Sequence, residues 1–195
     1  FVGQEGVALS EIAYQTARHF AHDRRQSRSL VPEKRDLNAP ADNILVHPDV
    51  RRMMLNIKAT TEGMRGLAYW IATYIDIALT DSDETAKEEA ADLVALLTPV
   101  IKSYFTERGF QNISEAMQVM GGAGYTADWP VEQYLRDSRI AMIYEGTNHI
   151  QALDLVGRKL PEGMGRLYQR FAAKIGEFIT ENQNDPILKD CVGAL

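Results

Sequence analysis

In the stretch IYEGTNHIQALDLVG, Ile143 to Gly157, a glutamate and a glycine interrupt an otherwise apolar, helix-like pattern. That glutamate is either a solvated turn residue or a carboxylate held at the wall of a pocket. Thr147 can cap the helix that follows, whose apolar positions Ile150, Leu153, Val156 and Leu160 are expected to face a core. Glu145 then stands at a break between two helices, just before an N-terminus whose exposed N–H groups suit a phosphate or another anion. The plainer reading is that Gly146 ends one helix and Thr147 starts the next.

Two further stretches carry residue types with chemical uses. In QVMGGAGYTADWP, Gln118 to Pro130, glycines at 121, 122 and 124 would let a ligand approach the backbone closely. No strand pattern flanks them, so they make no dinucleotide fingerprint, and a helix C-cap with a turn explains them equally well. In RHFAHDRRQSR, the basic residues Arg18, Arg24, Arg25 and Arg28 gather at one helix end. They would complement the helix dipole and are able to hold a pyrophosphate through charge-assisted hydrogen bonds, although a solvated basic helix end has the same composition. His19 and His22, with Glu145 as a third donor, make a metal-binding bundle a weaker alternative. The spacing supplies at most a pair of ligands, and the Glu-x-x-His motifs of di-iron bundles are missing.

The elements that must position these residues read as helical nearly throughout. Leu9, Ile12, Ala13, Thr16 and Phe20 mark one face of a first helix, and a proline-rich loop follows from Ser29 to Asn43. Val50, Met53, Met54, Ile57, Thr61, Met64, Ala68, Ile71 and Ile75 recur at three- and four-residue steps in a second. A third runs from Leu93 to Met120, with Pro99 marking either a kink or a new start capped by Thr98. Short helices precede Glu145 and follow from about Asn148, and a last one carries Leu167, Phe171, Ile175 and Phe178. Alternating strand patterns are missing, so the expected fold is all-α, an antiparallel up-down-up-down four-helix-type bundle with extra short helices.

Composition narrows the partners. The 195 residues are 45% hydrophobic, a globular composition, and the net charge of −6 argues against a general nucleic-acid surface. The single cysteine, Cys191, excludes an internal disulfide framework and fits a reducing compartment, so a cytoplasmic location is expected. No apolar run approaches the roughly 18–20 residues of a membrane span. The chain opens at Phe1, inside a helical pattern, and reads as a piece of something longer.

Taken together, FAHDRRQSR followed by MQVMGGAGYTADWPVEQYLRDSRIAMIYEGTNHIQ strongly resembles the C-terminal helical domain of the acyl-CoA dehydrogenase family. The resemblance runs from Phe1 to about Leu160. The proline-containing loop, VHPDVRRMM and TNHIQALDLVGRKL look most like the larger bacterial branch, which includes enzymes acting on 3-methylmercaptopropionyl-CoA. It implies an FAD-dependent oxidoreductase of fatty acid metabolism that converts an acyl-CoA thioester, a 3-methylmercaptopropionyl or a fatty acyl one, to the enoyl-CoA. Electron-transfer flavoprotein is the implied electron acceptor, and a homodimer or homotetramer the implied assembly.

Residue by residue, Glu145 matches the family's base, which removes the substrate's α-proton while the flavin accepts the β-hydrogen as hydride. A carboxylate must be desolvated, with its pKa raised, for that task, and the thioester oxygen must gain hydrogen bonds as enolate charge develops. One of these comes, in the family, from the base's own backbone N–H. Tyr144 and Gly146 match residues beside the acyl chain and thioester. Arg24 matches the arginine on the FAD pyrophosphate and Gln26 the polar residue two positions on. Gln118 and Gly122 match the stretch that grips the adenosine half across a subunit interface, and Thr147 a flavin-contacting threonine. Ser27 and Arg28 stand where an aromatic residue and glycine are common, and His149 where glutamine is usual, which leaves FAD contacts at those positions open. The resemblance also places an N-terminal helical domain and a middle β-domain upstream of residues 1–195, which form one bundle domain. The other class of reading is a non-catalytic helical interaction bundle that keeps the motif by descent.

Overall fold

The computed structural model describes residues 2–194; the outermost positions of the expected domain, Phe1 and Leu195, lie outside the described residues. The long elements are α1 (Val2–Asp23), α2 (Pro48–Thr80) and α3 (Glu84–Met120). Shorter ones are α4 (Gly122–Tyr125), α5 (Val131–Ala141), α6 (Asn148–Asp154), α7 (Arg166–Asn182) and α8 (Lys189–Val192), and a π-helical turn, Leu155–Lys159, extends α6. Among the described residues there is no strand, only an isolated antiparallel bridge between Arg25 and Asn43, so the fold is all-α as expected. Among the described residues no helix is long and apolar enough to cross a membrane.

Two compact units can be distinguished, Phe1–Tyr69 with Ile101–His149, and Trp70–Val100 with Ile150–Leu195. The first is the four-helix bundle, and its named contacts give the helix directions. Asn56 donates to Glu115 at 2.8 Å and Thr60 to Asn112 at 3.0 Å, so α2 and α3 are antiparallel. Ser10 meets Thr61 at 2.7 Å while Asn43, just before α2, reaches the Ala21 carbonyl, so α1 opposes α2 as well. Trp129, just before α5, packs edge-on against Phe20, and Tyr144, just after it, bonds Glu5, so α5 runs against α1. The order is up-down-up-down.

The buried face of α1 departs from the expected one. Ile12 is 43% exposed, and the face turned inward consists of Gly3, Gly6, Val7, Ser10, Ala13, Ala17 and Ala21. Small residues win because α1 lies almost in backbone contact with α3: a Cβ on Gly6 would fall 2.2 Å from the Phe105 carbonyl oxygen. Ser10, Thr61 and Asn112 form a fully bonded buried polar cluster between α1, α2 and α3, which fixes their register. Ile57, Met64, Phe105 and Ile113 fill the core around it.

In α3 the helix continues through Pro99, and Thr98 instead donates to the Val94 carbonyl at 2.7 Å. It stops at Gly121, whose φ of +59° suits a residue without Cβ. In the second unit, the buried carboxylate of Asp92 accepts from Arg166 at 2.8 and 3.0 Å and from Arg170, tying α7 to the first turns of α3. The expected core face beyond Asn148 is not buried: Ile150, Leu153, Val156 and Leu160 are 53, 67, 65 and 36% exposed. The periodicity is helical, but the helix presents its apolar residues outward.

Candidate functional site

Glu145 lies in a tight turn between α5 and α6. After α5, Ile143 and Tyr144 both donate to the Ile140 carbonyl, at 2.8 and 3.1 Å, and the Asn148 amide closes the turn on Met142 at 3.1 Å. Between these bonds Glu145 has φ +54° and Gly146 φ +81°. Glycine adopts that conformation freely, but for a glutamate it is sparsely populated and costs on the order of 1–3 kcal/mol, so surrounding contacts must hold it.

Those contacts come from α1 and α3. Lys102, 7% exposed, donates to the Gly146 carbonyl at 2.7 Å and to Asn148 Oδ1 at 3.0 Å. Burial pushes its pKa down, because the charged form loses water. Asn148 also donates to Thr106 Oγ1 at 3.2 Å and to the Ser103 carbonyl at 3.3 Å. On the other side the Tyr144 hydroxyl donates to the Glu5 carboxylate. That bond, with partial burial and the charges of Glu5 and Glu145, holds the phenol above its ordinary pKa. Glu145, Gly146, Thr147 and His149 are exposed. The desolvation that a carbon-acid base requires is therefore not supplied by the described residues.

A second cluster forms around the C-terminal end of α1. Arg24, Gln26, Ser27, His47, Gln118, Gly121 and Gly122 line an open groove of about 470 Å³, floored by Phe20, Ile44 and Met120. The loop beyond α1 is held there by Asn43, which donates to the Ala21 and His22 carbonyls, and by Asp42. Asp42 is 1% exposed and accepts from the Ser29 and Asp36 amides at 2.7 Å and from Arg28 at 3.1 Å. The Ser29 amide first, then the Asp36 amide and the Arg28 guanidinium, hold its carboxyl below the ordinary range.

This loop divides the arginine cluster. Arg25 pairs with Asp36, and Arg28 is spent on Asp42 and on the Asp36 and Ala39 carbonyls. Arg24 bonds only weakly to Gln26, at 3.5 Å, lies over the Phe20 ring and has no carboxylate partner among the described residues. A groove with one uncommitted guanidinium, two amide side chains and glycines whose Cβ positions meet nothing within 4 Å fits a phosphate-bearing ligand.

The structure thus brings Arg24, Gln26, Gln118 and Gly122 together, and separately Tyr144, Glu145, Gly146, Thr147 and His149. The two groups lie at opposite ends of α1, which rises about 27 Å from Glu5 to Asp23. The same separation removes the metal alternative. His19 leans on Trp129 at the far end from Glu145, and among the described residues no three potential ligands gather. Sequence reading missed Lys102, Asn148, Glu5 and His47, whose ring nitrogen lies 2.9 Å from the Gln26 carbonyl. For Lys102 a signal existed: with Phe105, Thr106, Gly109 and Ile113 it repeats at three- and four-residue steps, on the buried stripe of α3.

Comparison with known proteins gives one consistent result. A family described as "Acyl-CoA dehydrogenase, C-terminal domain" matches residues 5–160. The chain is 44% identical over 174 residues, 89% of its length, to a 3-methylmercaptopropionyl-CoA dehydrogenase of Ruegeria pomeroyi, of which it covers 29%. It is 34% identical over 189 residues, 96% of its length, to the broad-specificity linear acyl-CoA dehydrogenase FadE5 of Mycobacterium tuberculosis, covering 31% of it. The crystal structure of an acyl-CoA dehydrogenase complexed with FAD from Bacillus anthracis superposes with a TM-score of 0.67 at 26% identity, over 92% of this chain and 30% of that one. The chain therefore spans under a third of the length of these relatives.

Proposed function

Because this chain belongs to the acyl-CoA dehydrogenase family, matching its C-terminal domain, we propose that it supplies the catalytic base and part of the FAD site of an enzyme that oxidises an acyl-CoA to the enoyl-CoA. The observation that carries the reading is the turn at Glu145, a carboxylate held in a costly backbone conformation by contacts from two other helices. Glu145 takes the α-proton of the thioester, and its backbone N–H faces the oxygen on which enolate charge develops. Tyr144, anchored on Glu5, and Gly146 border the acyl chain and thioester. FAD, when bound, supplies the acceptor for the β-hydride. Arg24, Gln26, Gln118 and Gly122 would hold the phosphate-bearing half of one FAD, and Thr147 and His149 would contact the flavin at the Glu145 end.

The roughly 27 Å between the clusters favours an arrangement in which each chain serves two cofactor sites, so a homodimer or homotetramer belongs to the proposal. So do electron-transfer flavoprotein as the acceptor and a cytoplasmic location. The cover that desolvates Glu145 belongs, in this reading, to an N-terminal helical domain and a middle β-domain of the full-length enzyme. The relatives point to 3-methylmercaptopropionyl-CoA or a linear acyl-CoA as substrate.

The test is Glu145→Gln in the full-length enzyme, followed by flavin reduction in a single turnover with a panel of acyl-CoAs. Loss of a general base is worth about 10²–10⁴ in rate, and bound FAD should be retained because glutamine preserves the shape of the turn. Near-normal reduction of the bound flavin would remove Glu145 from the chemistry.

A further inference from the structure

Lys102 is an expensive residue for this fold. It lies on the buried stripe of α3, 7% exposed, near the core residue Phe105, where an aliphatic side chain would cost nothing in desolvation. Among the described residues no carboxylate pairs with it. Its bonds to Gly146 and Asn148 go to neutral oxygens. A buried cation compensated only by neutral acceptors is a poor device for stability. What its contacts have in common is the turn: the Gly146 carbonyl follows the two left-handed residues, and Asn148 opens α6 immediately beyond them. The same ammonium therefore grips both sides of Thr147.

We propose that Lys102 is a positioning residue for the base, its buried ammonium clamping Gly146 and Asn148 so that the Glu145 turn keeps its left-handed form. The inference rests on Glu145 being the base. It makes no contact with substrate a requirement, and acts through the backbone alone. Asn148 extends the clamp, because its amide is itself fixed by Thr106, whose hydroxyl donates to the Lys102 carbonyl at 2.8 Å. One turn of α3 thus carries both the cation and the group that orients its partner.

The experiment compares Lys102→Met, Lys102→Arg and Glu145→Gln in the full-length enzyme. For Lys102→Met, the rate of flavin reduction in a single turnover should fall about 100-fold, the order expected when a reacting group is displaced by roughly 1 Å. KM for acyl-CoA and the FAD content should stay within about threefold, and amide exchange at residues 144–148 should quicken. Lys102→Arg, which keeps charge and donors, should recover at least about tenfold of the loss. Flavin reduction by Lys102→Met within about threefold of the unmodified enzyme overturns the proposal, as does a loss that falls on FAD content and KM rather than on the reduction rate. If Lys102→Met fails to fold, Asn148→Ala decides: about a tenfold slower reduction is expected, given the scale for positioning losses, and an unchanged rate overturns the clamp. A Glu145→Gln enzyme that still reduces flavin sinks the base assignment itself; one that is dead beside a fully active Lys102→Met sinks only the positioning role.

Discussion

The close approach of α1 and α3 makes Gly6→Ala the sharpest structural test. The added Cβ would sit 2.2 Å from the Phe105 carbonyl oxygen and 2.6 Å from its carbon, against a floor of 3.0 Å for real contacts. The helices must separate by about 0.8 Å, because the obstacles are main-chain atoms that no rotamer change can move. Overpacking of this kind costs about 1–3 kcal/mol, and backbone obstacles put it at the upper end. The higher helix propensity of alanine returns at most about 1 kcal/mol. A net loss of about 2 kcal/mol, at about 2–4 °C per kcal/mol for a chain of this size, lowers Tm by roughly 4–8 °C. The control is Gly63→Ala on the exposed side of α2, where a Cβ meets nothing within 4 Å. There the propensity gain of about 0.5–1 kcal/mol stands alone, and Tm should rise. Thermal unfolding followed by circular dichroism on the two variants measures both. A Gly6→Ala chain as stable as the unmodified one would refute the backbone contact, and with it the reason that small residues line α1.

The loop beyond α1 should respond to acid through Asp42. Its carboxyl titrates below the ordinary value of about 4, so its contribution is complete above that value and is lost as pH falls through the lower folded one. Amide exchange at Ser29 and Asp36 should quicken over that acid range, and Asp42→Asn should abolish the transition. Arg24→Ala in the full-length enzyme should weaken FAD retention while activity returns with added FAD; an unchanged FAD affinity would count against the groove. Arg28→Ala should instead loosen the loop, which exchange at the same two amides would register.

Helical periodicity alone specified much of this protein. Met53, Ile57, Met64 and Ile71 on α2, and Leu93, Phe105 and Ile113 on α3, are buried as their spacing requires, since a helix has no other way to hide residues recurring at three and four. The turn at Glu145 and Gly146 was also legible, because a glycine followed by Thr147, a residue suited to cap the next helix, marks a break in the helical pattern. Other features depend on partners distant in sequence. Spacing made Ile12 a core residue beside Ala13, but only the approach of α3 decides that Gly3 and Gly6 turn inward while Ile12 does not. Composition gave four arginines at one helix end and the resemblance singled out Arg24, but only the fold shows Asp36 and Asp42 occupying Arg25 and Arg28 and Arg24 lining the groove. Spacing puts Lys102 on the buried stripe of α3, but its grip on Gly146, some 44 residues away in the chain, exists only because α3 packs against the turn. Periodicity records which face of a helix is apolar. Which residues meet across the bundle is set by tertiary packing, where backbone distance and the pairing of buried charges are decided.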